Sequence, residues 1–447
     1  MNWNEMPLTG WGRTTVVEGS VGRPERGSEL AKLWREADGH PLITHGGGRA
    51  YGDQALPVED GKVILTTRMN RMLALDPEAA TITVEPGVTF RDLVRSLVPQ
   101  GLLVPVTPGT AFATIGGAVA NDVHGKNHSH GSFGDYVSAL ELILPDGSEK
   151  TVTEAETPEL FKATIAGLGL TGLIKSVSFQ LKKVPGDCMM RRERKIKNLE
   201  DYLCAFEEEN AKGTPYLVGW IDAIARGRKM GRGILEAAEP AAQTLGQAPA
   251  PDKAVPIDFP GFALNPLSVR AFNMAYYNRI GAKGREALVP FETFFYPLDA
   301  MANWNRIYGK RGFYQFQCVV PQADGEQALA KLLDEISRAG AASFLAVLKC
   351  MGRRGKGYLS FPMPGYTLAL DFPASSKTAE LVGRLNRIAR DYGGRVYLAK
   401  DALLSSEDFE AMYPDAGQFR SVLRTIDPSG RMASPMARRL NLTGAGQ

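Results

Sequence analysis

The chain has 447 residues, 44% of them apolar and 23% charged, with a formal net charge of +3. These proportions exclude a disordered, collagen-like or coiled-coil protein, and the near-balance of charge gives no field of the kind that draws nucleic acid. A length beyond one ordinary core predicts two domains with room for a large cofactor between them. The amino terminus, MNWNEMPLTGWGRTT, has no basic leader followed by an apolar core, and no uncharged apolar run is long enough to span a bilayer. We therefore expect no signal peptide and no membrane span, and a cytoplasmic protein or one peripheral at the inner face of a membrane. Peripheral contact needs only a small apolar or basic face. Cys188, Cys204, Cys318 and Cys350 have neither CxxC spacing nor the density of a secreted scaffold, which predicts free thiols.

In chain order, residues 27 to 38 read as a helix. Residues 41 to 44 read as a strand that runs straight into His45-Gly46-Gly47-Gly48-Arg49, so the glycines stand at a strand end. Residues 61 to 67 and 81 to 84 are strand candidates, and 89 to 99 a helix. Residues 137 to 153 spell a hairpin, because Pro145-Asp146-Gly147 supplies the turn dihedrals. Thr157-Pro158 opens a helix, and the spacing of Leu173, Val177, Phe179 and Leu181 predicts a half-buried strand over 173 to 184. Strands and helices alternate with no βαβ rhythm, the pattern of an α+β fold.

After Val184 the character changes. Residues 224 to 256 join a basic run (Arg226, Arg228, Lys229, Arg232) to an Ala/Pro-rich stretch poor in large apolar side chains. This predicts a mobile excursion, at about 224 to 270 in the domain scheme, with phosphate-headgroup contact as the functional alternative. Residues 312 to 320 and 343 to 349 read as strands. Leu381, Leu385 and Ile388 mark a helix that Gly393-Gly394 ends. Residues 395 to 400 read as a strand, and the tail from Ser405 as helical.

Two glycine-rich stretches carry the chemistry. HGGGRAYGD, His45 to Asp53, misses the Rossmann spacing because the third glycine would fall at Tyr51. The second runs from Pro108 through TIGGAVANDVHGKNHSHGSFG to Gly134. Small residues there let backbone N–H groups approach a pyrophosphate, Thr110 and Thr114 adding hydroxyl donors, though a tight loop has the same composition. His124, His128 and His130 sit in that loop with neither cysteine nor a carboxylate pair nearby, so no metal site is expected. No G-x-S-x-G elbow suggests a hydrolase.

GGGRAYGD followed by PGT…TIGGAVANDVHGKNHSHGSFGD resembles the paired FAD-binding loops of the vanillyl-alcohol-oxidase superfamily, and HGKNH is similar to the signature of the decaprenylphosphoryl-β-D-ribose 2-oxidases. ATIAGLGLTGLI (163–174), WNRIYG (304–309), FPMP (361–364), LDFP (370–373), YLAKD (397–401) and MARRL (436–440) extend the resemblance over nearly the whole chain. It implies an FAD-binding domain from residues 1–183 and 395–447, and a substrate domain on an antiparallel sheet from 184–394. The implied FAD contacts are Gly46, Gly47, Gly48, Arg49, Ala50, Tyr51, Gly52, Asp53, Gly109, Thr110, Thr114, Gly116, Gly117, His124, Asn127, Ile174 and Tyr397. Arg49 stands where many relatives carry a flavin-tethering histidine, so the FAD is expected to be non-covalent. Mycobacterial members have cysteine at the position of Ala369 and tyrosine at that of Phe295.

The same resemblance places Lys400 at the flavin ring, where a cation stabilises the charge that arrives with hydride. Gln315, Gln317 and Lys349 are implied to line the substrate pocket, where amides and an ammonium suit sugar hydroxyls and a phosphodiester. Gln315 and Gln317 share a strand face by the two-residue period. Trp220 and Phe295 are wall candidates, although aromatics also serve as plain core. Lys349 and Lys400 are both candidates for the proton acceptor. The implied reaction is oxidation of the 2-hydroxyl of a polyprenyl-phosphate pentose to a 2-keto sugar, which a short-chain NADH-dependent ketoreductase reduces from the opposite face. The alternatives are oxidation of a free alditol or aldonolactone and a non-catalytic lipid-sugar binding subunit.

Overall fold

A computed structural model describes residues 3–127, 129–246, 253–261, 264–340 and 344–443. The amino-terminal part carries two sheets. The first orders its strands Asn4–Thr9, Val16–Gly22, Lys62–Leu65, Leu42–His45, the first pair antiparallel and the others parallel. The second is antiparallel, in the order Met72–Asp76, Thr81–Val84, Leu173–Gln180, Val137–Ile143, Glu149–Val152. The helix Phe90–Leu97 is started by a reciprocal cap: Asp92 N–H donates to Thr89 Oγ1 and Thr89 N–H to Asp92 Oδ2. Phe90, Leu93, Val94 and Leu97 are buried, and they share a core with Ile82, Val84, Val177 and Phe179 of the second sheet.

The middle of the chain forms an eight-stranded antiparallel sheet. Its order is Arg285–Pro290, Cys188–Ile196, Gly233–Ala241, Tyr216–Ile221, Ala346–Met351, Gly365–Pro373, Phe313–Pro321, Arg395–Val396. Alternation assigns its two faces. Phe316, Cys318, Val320, Leu348, Leu368 and Leu370 share one core with Leu329, Leu332, Leu333 and Ile336 of the helix Gly325–Ala339 and Leu381 and Leu385 of the helix Ser376–Asp391. The opposite face is left for the site. The carboxyl-terminal helices Ser406–Met412, Ala416–Ile426 and Pro435–Arg439 return the chain to the first sheet, where Leu42 N–H donates to the Arg431 carbonyl (2.7 Å) and Ala433 N–H to that of Leu42 (3.0 Å).

Two expectations are corrected. Gly233–Ala241, inside the stretch expected to be mobile, is a strand in the middle of the large sheet with Ile234, Leu235, Ala237 and Ala238 buried. Its alanines fit a crowded interior, where small side chains suffice because both neighbouring strands supply hydrogen bonds. The helix Pro266–Tyr277 begins at the end of that stretch and runs past it, whereas residues 247–252 fall outside the described ones. In the basic run, Arg232 pairs with Asp222 (2.6 Å) and Arg226 donates to the Ser337 carbonyl, so only Arg228 and Lys229 are left for an outside phosphate. The strand expected over 395 to 400 is two residues long, Arg395–Val396, followed by a 3-10 turn, Leu398–Lys400. Those two residues, assigned to the cofactor domain, pair with the large sheet. The four cysteines are free thiols.

Candidate active site

Both glycine-rich loops open onto one cavity of about 490 Å³, whose far wall is the free face of the large sheet. The strand Leu42–His45 ends at the first loop, and Gly48 takes φ = 63°, where a Cβ is costly. The loops close on each other because their residues are small. A Cβ on Gly47 would lie 2.5 Å from the Phe112 carbonyl oxygen, and one on Gly52 would strike the Asp401 carbonyl oxygen. Tyr51 N–H donates to the Ala399 carbonyl (2.9 Å), tying the first loop to the segment that carries Lys400.

The backbone N–H groups of Gly47, Gly48, Arg49, Gly109 and Thr110 have no protein acceptor among the described residues. Arg49 Nε, Gln54 Oε1 and Asn121 Oδ1 are buried without partners, and all three residues line the cavity. Buried polar atoms left unpaired cost about 1–3 kcal/mol each, so such a wall calls for a polar ligand. Unsatisfied amides from two small-residue loops fit a diphosphate, and the residues present fit FAD.

Across the sheet, register brings the polar side chains together. Gln317 pairs with Ala369, Ala369 with Val347 and Val347 with Trp220, while Gln315 pairs with Asp371 and Lys349 with Thr367. Gln315, Gln317, Lys349, Ala369 and Trp220 all line the cavity. His124, from the second loop, reaches this face. Its Nε2 lies 3.0 Å from Gln317 Nε2, its Nδ1 lies 3.3 Å from Lys349 Nζ, and its ring packs against Tyr397 and Phe361. In this geometry Gln317 Nε2 donates to His124 Nε2 and to Thr367 Oγ1 (3.2 Å), which puts the ring hydrogen of the neutral imidazole on Nδ1, facing a neutral Lys349 amine. Lys349 also donates to the Gly125 carbonyl (3.1 Å).

Burial sets the electrostatics. The Lys349 ammonium is pushed down to about 7 by burial, then by Lys126 and Lys400; the same burial, with Lys349 and Lys400 beside it, holds His124 neutral. Lys126 falls to about 8, mainly through burial. Lys400 is lowered by burial and partly restored by Asp371, whose carboxyl burial raises in turn. Lys400 Nζ stands 3.8 Å from the Tyr51 ring centroid, and Asp371 accepts from Gln315 and from Tyr308 (3.3 Å). The arrangement offers a poised amine beside a neutral imidazole, with a second cation one wall away.

Of the expected cofactor contacts, Gly46, Gly47, Gly48, Arg49, Ala50, Tyr51, Gly52, Gly109, Thr110, Thr114, Gly116, Gly117, His124, Ile174 and Tyr397 line the cavity; of the substrate contacts, so does Phe295. Asp53 and Asn127 do not. Asp53 is engaged by Arg439 (2.9 Å), and Asn127, 3% exposed, donates within its own loop to Gly131 (3.4 Å). Of the two hydroxyls expected to donate to a ligand, that of Thr110 uses its proton inside the protein, whereas that of Thr114 only accepts there. Thr110 donates to Asp299 (2.9 Å), and Thr114 accepts from Gly117 N–H (3.4 Å) to cap the helix Ile115–Ala120. His130 packs near Tyr216, and His128 lies outside the described residues. Sequence reasoning missed Lys126, Gln54 and Asn121 on the lining and Asp371 behind it. Lys126 stood inside the quoted HGKNH, and a two-residue count along 365–373 reaches Asp371 from Ala369.

A family model described as an FAD binding domain matches residues 20–153, and one described as D-arabinono-1,4-lactone oxidase matches residues 366–440. The chain is 34% identical to the decaprenylphosphoryl-beta-D-ribose oxidase of Mycolicibacterium smegmatis over 99% of its own length and 100% of the relative's. An uncharacterized Streptomyces coelicolor protein is 32% identical over 79% of this chain and all of its own. The L-gulonolactone oxidase of Mus musculus is 33% identical over 30% of each chain.

Proposed function

We propose that this chain, which belongs to the decaprenylphosphoryl-β-D-ribose oxidase family and is an FAD-dependent oxidoreductase acting on CH–OH groups, oxidises the 2-hydroxyl of a polyprenyl-phosphate-linked pentose to the ketone. The observation that carries this reading is the two-part cavity. Gln315, Gln317, Lys349 and Lys400 make one part polar, while the rings of Trp220, Tyr276, Phe272 and Phe344 touch one another in turn, with Trp220 three strands across the sheet from Gln317. A sugar suits the first part and the start of an isoprenoid chain the second, whereas a free alditol leaves the aromatic part unused.

FAD, which the paired loops would hold through the N–H groups of Gly47, Gly48, Arg49, Gly109 and Thr110, would supply the hydride acceptor for the sugar carbon. Lys349, neutral above pH about 7, accepts the hydroxyl proton, and His124 with Gly125 holds its nitrogen in place. Lys400 supplies a positive charge in a water-poor wall, and Gln315 and Gln317 hydrogen-bond the remaining hydroxyls. The 2-keto product then suits a short-chain NADH-dependent ketoreductase working on the opposite face, which completes an epimerisation to arabinose. Arg49 in place of a tethering histidine supports non-covalent FAD, which denaturation should release into the supernatant. The test of substrate class is anaerobic: a short-chain polyprenyl-phospho-ribose should bleach the flavin faster than free alditols or aldonolactones. The reverse preference moves the function to the lactone-oxidase alternative.

A further inference from the structure

The aromatic part of the cavity leads to an unusual stretch of surface. Ile257, Phe259, Leu267, Phe272, Met274 and Met301 are large apolar side chains 39–76% exposed, and all come from residues 257–301. The helix Pro266–Tyr277 is the centre of this surface. Its N-cap Asn265 accepts from Leu267 N–H and Ser268 N–H, so the helix is firmly started. Val269 and Asn273 face inward, Asn273 donating to Asp222 (2.7 Å), while Leu267, Arg270, Ala271 and Met274 recur at helical spacing on the outer side.

The outer surface is continuous with the inner cavity. Phe272 lines the cavity and is also 44% exposed. Its ring meets that of Phe344 at 5.7 Å, and Phe344 stacks on Tyr308 at 5.6 Å, within the turn Trp304–Tyr308, whose Arg306 carbonyl accepts from Phe259 N–H. Charge is one-sided: from 253 to 285 the chain carries Lys253, Arg270, Lys283 and Arg285, besides Arg279, which pairs with Glu193 (2.5 Å) and Glu236 (3.5 Å), against Asp258, which Arg13 already neutralises at 2.6 Å. An amphipathic helix with an apolar outer face and cationic flanks has the chemistry that seats in the headgroup layer of an anionic bilayer.

We infer that the helix Pro266–Tyr277 and the apolar residues around it dock the protein on an anionic membrane, with the cavity mouth against the lipid so that a membrane-anchored substrate enters without leaving the bilayer. This rests on the lipid-linked substrate reading above, and the two are tested separately. FAD-loaded full-length protein is floated with vesicles of phosphatidylcholine alone or with about a quarter phosphatidylglycerol. The expected result is flotation with the anionic vesicles, reduced about tenfold or more by Leu267→Ser combined with Met274→Ser, and reduced on anionic vesicles by Arg270→Glu. Neither variant touches the cavity wall, so flavin content and flavin reduction by a water-soluble short-chain substrate should stay at the wild-type level. Wild-type protein that stays below both vesicle types overturns the inference, as does a double variant that floats like wild type. Intact flotation with no flavin reduction by any prenyl-phosphate sugar overturns the substrate reading alone.

Discussion

The two walls of the cavity recognise their ligands by different means. The loop wall, His45 to Asp53 and Pro108 to Gly134, works through backbone: glycines at contact positions and N–H groups without protein acceptors. The sheet wall works through side chains, with Gln317, Lys349 and Thr367 brought to one face by antiparallel register and His124 reaching across to them. Backbone recognition tolerates little added bulk and carries little tuned charge. Side-chain recognition tolerates bulk better but depends on the protonation of Lys349 on the sheet, with Lys126 of the second loop and Lys400 of the turn Leu398–Lys400 beside it, all lowered by burial.

The sharpest way to separate the walls is to remove the amine. Lys349→Met should keep bound flavin and lower kcat/KM about a thousandfold, or about 4 kcal/mol, measured by anaerobic flavin reduction. In the wild type, Lys349 accepts a proton only when neutral and Lys400 stabilises charge only when protonated, so log kcat/KM should climb as pH rises toward about 7 and fall again above about 8. A profile flat through that window removes Lys349 from the proton step. Lys400→Ala should lower turnover about a hundredfold with flavin retained; a loss under about tenfold denies the cation its role in stabilising transferred charge.

Substitutions on the loop wall should act on binding and stability instead. At Gly52 an added Cβ strikes the Asp401 carbonyl, so Gly52→Ala should cost about 1–3 kcal/mol in folding and lower flavin occupancy, read by thermal denaturation and the flavin-to-protein absorbance ratio. Gly109 sharpens the contrast, because a Cβ there meets nothing within 4 Å. Gly109→Ala should leave the melting temperature of the flavin-free protein unchanged yet weaken FAD binding about tenfold in a fluorescence titration, since the new methyl group occupies ligand space. Unchanged affinity would place the diphosphate away from Gly109.

Much was legible before any coordinates. Composition pointed to a folded protein, Pro145-Asp146-Gly147 to a hairpin, and the small-residue loops to a backbone-lined site, because turn dihedrals and close approach are local demands that a few residues satisfy. The two-residue period was enough to put Gln315 and Gln317 on one face. Local patterns misled where a segment owes its structure to distant partners. Gly233–Ala241 looks like a loop by its alanines and is a central strand because Cys188–Ile196 and Tyr216–Ile221 pair with it on both sides. Asp53 looks like a cofactor ligand in its motif and is instead an ion-pair partner of Arg439, a residue nearly four hundred positions away. Sequence alone determined which residue types could cradle a dinucleotide. Only the tertiary structure decided which carboxylate stands behind Lys400 and which amine meets His124, because charge and proton affinity depend on burial and neighbours that strand pairing brings from remote parts of the chain.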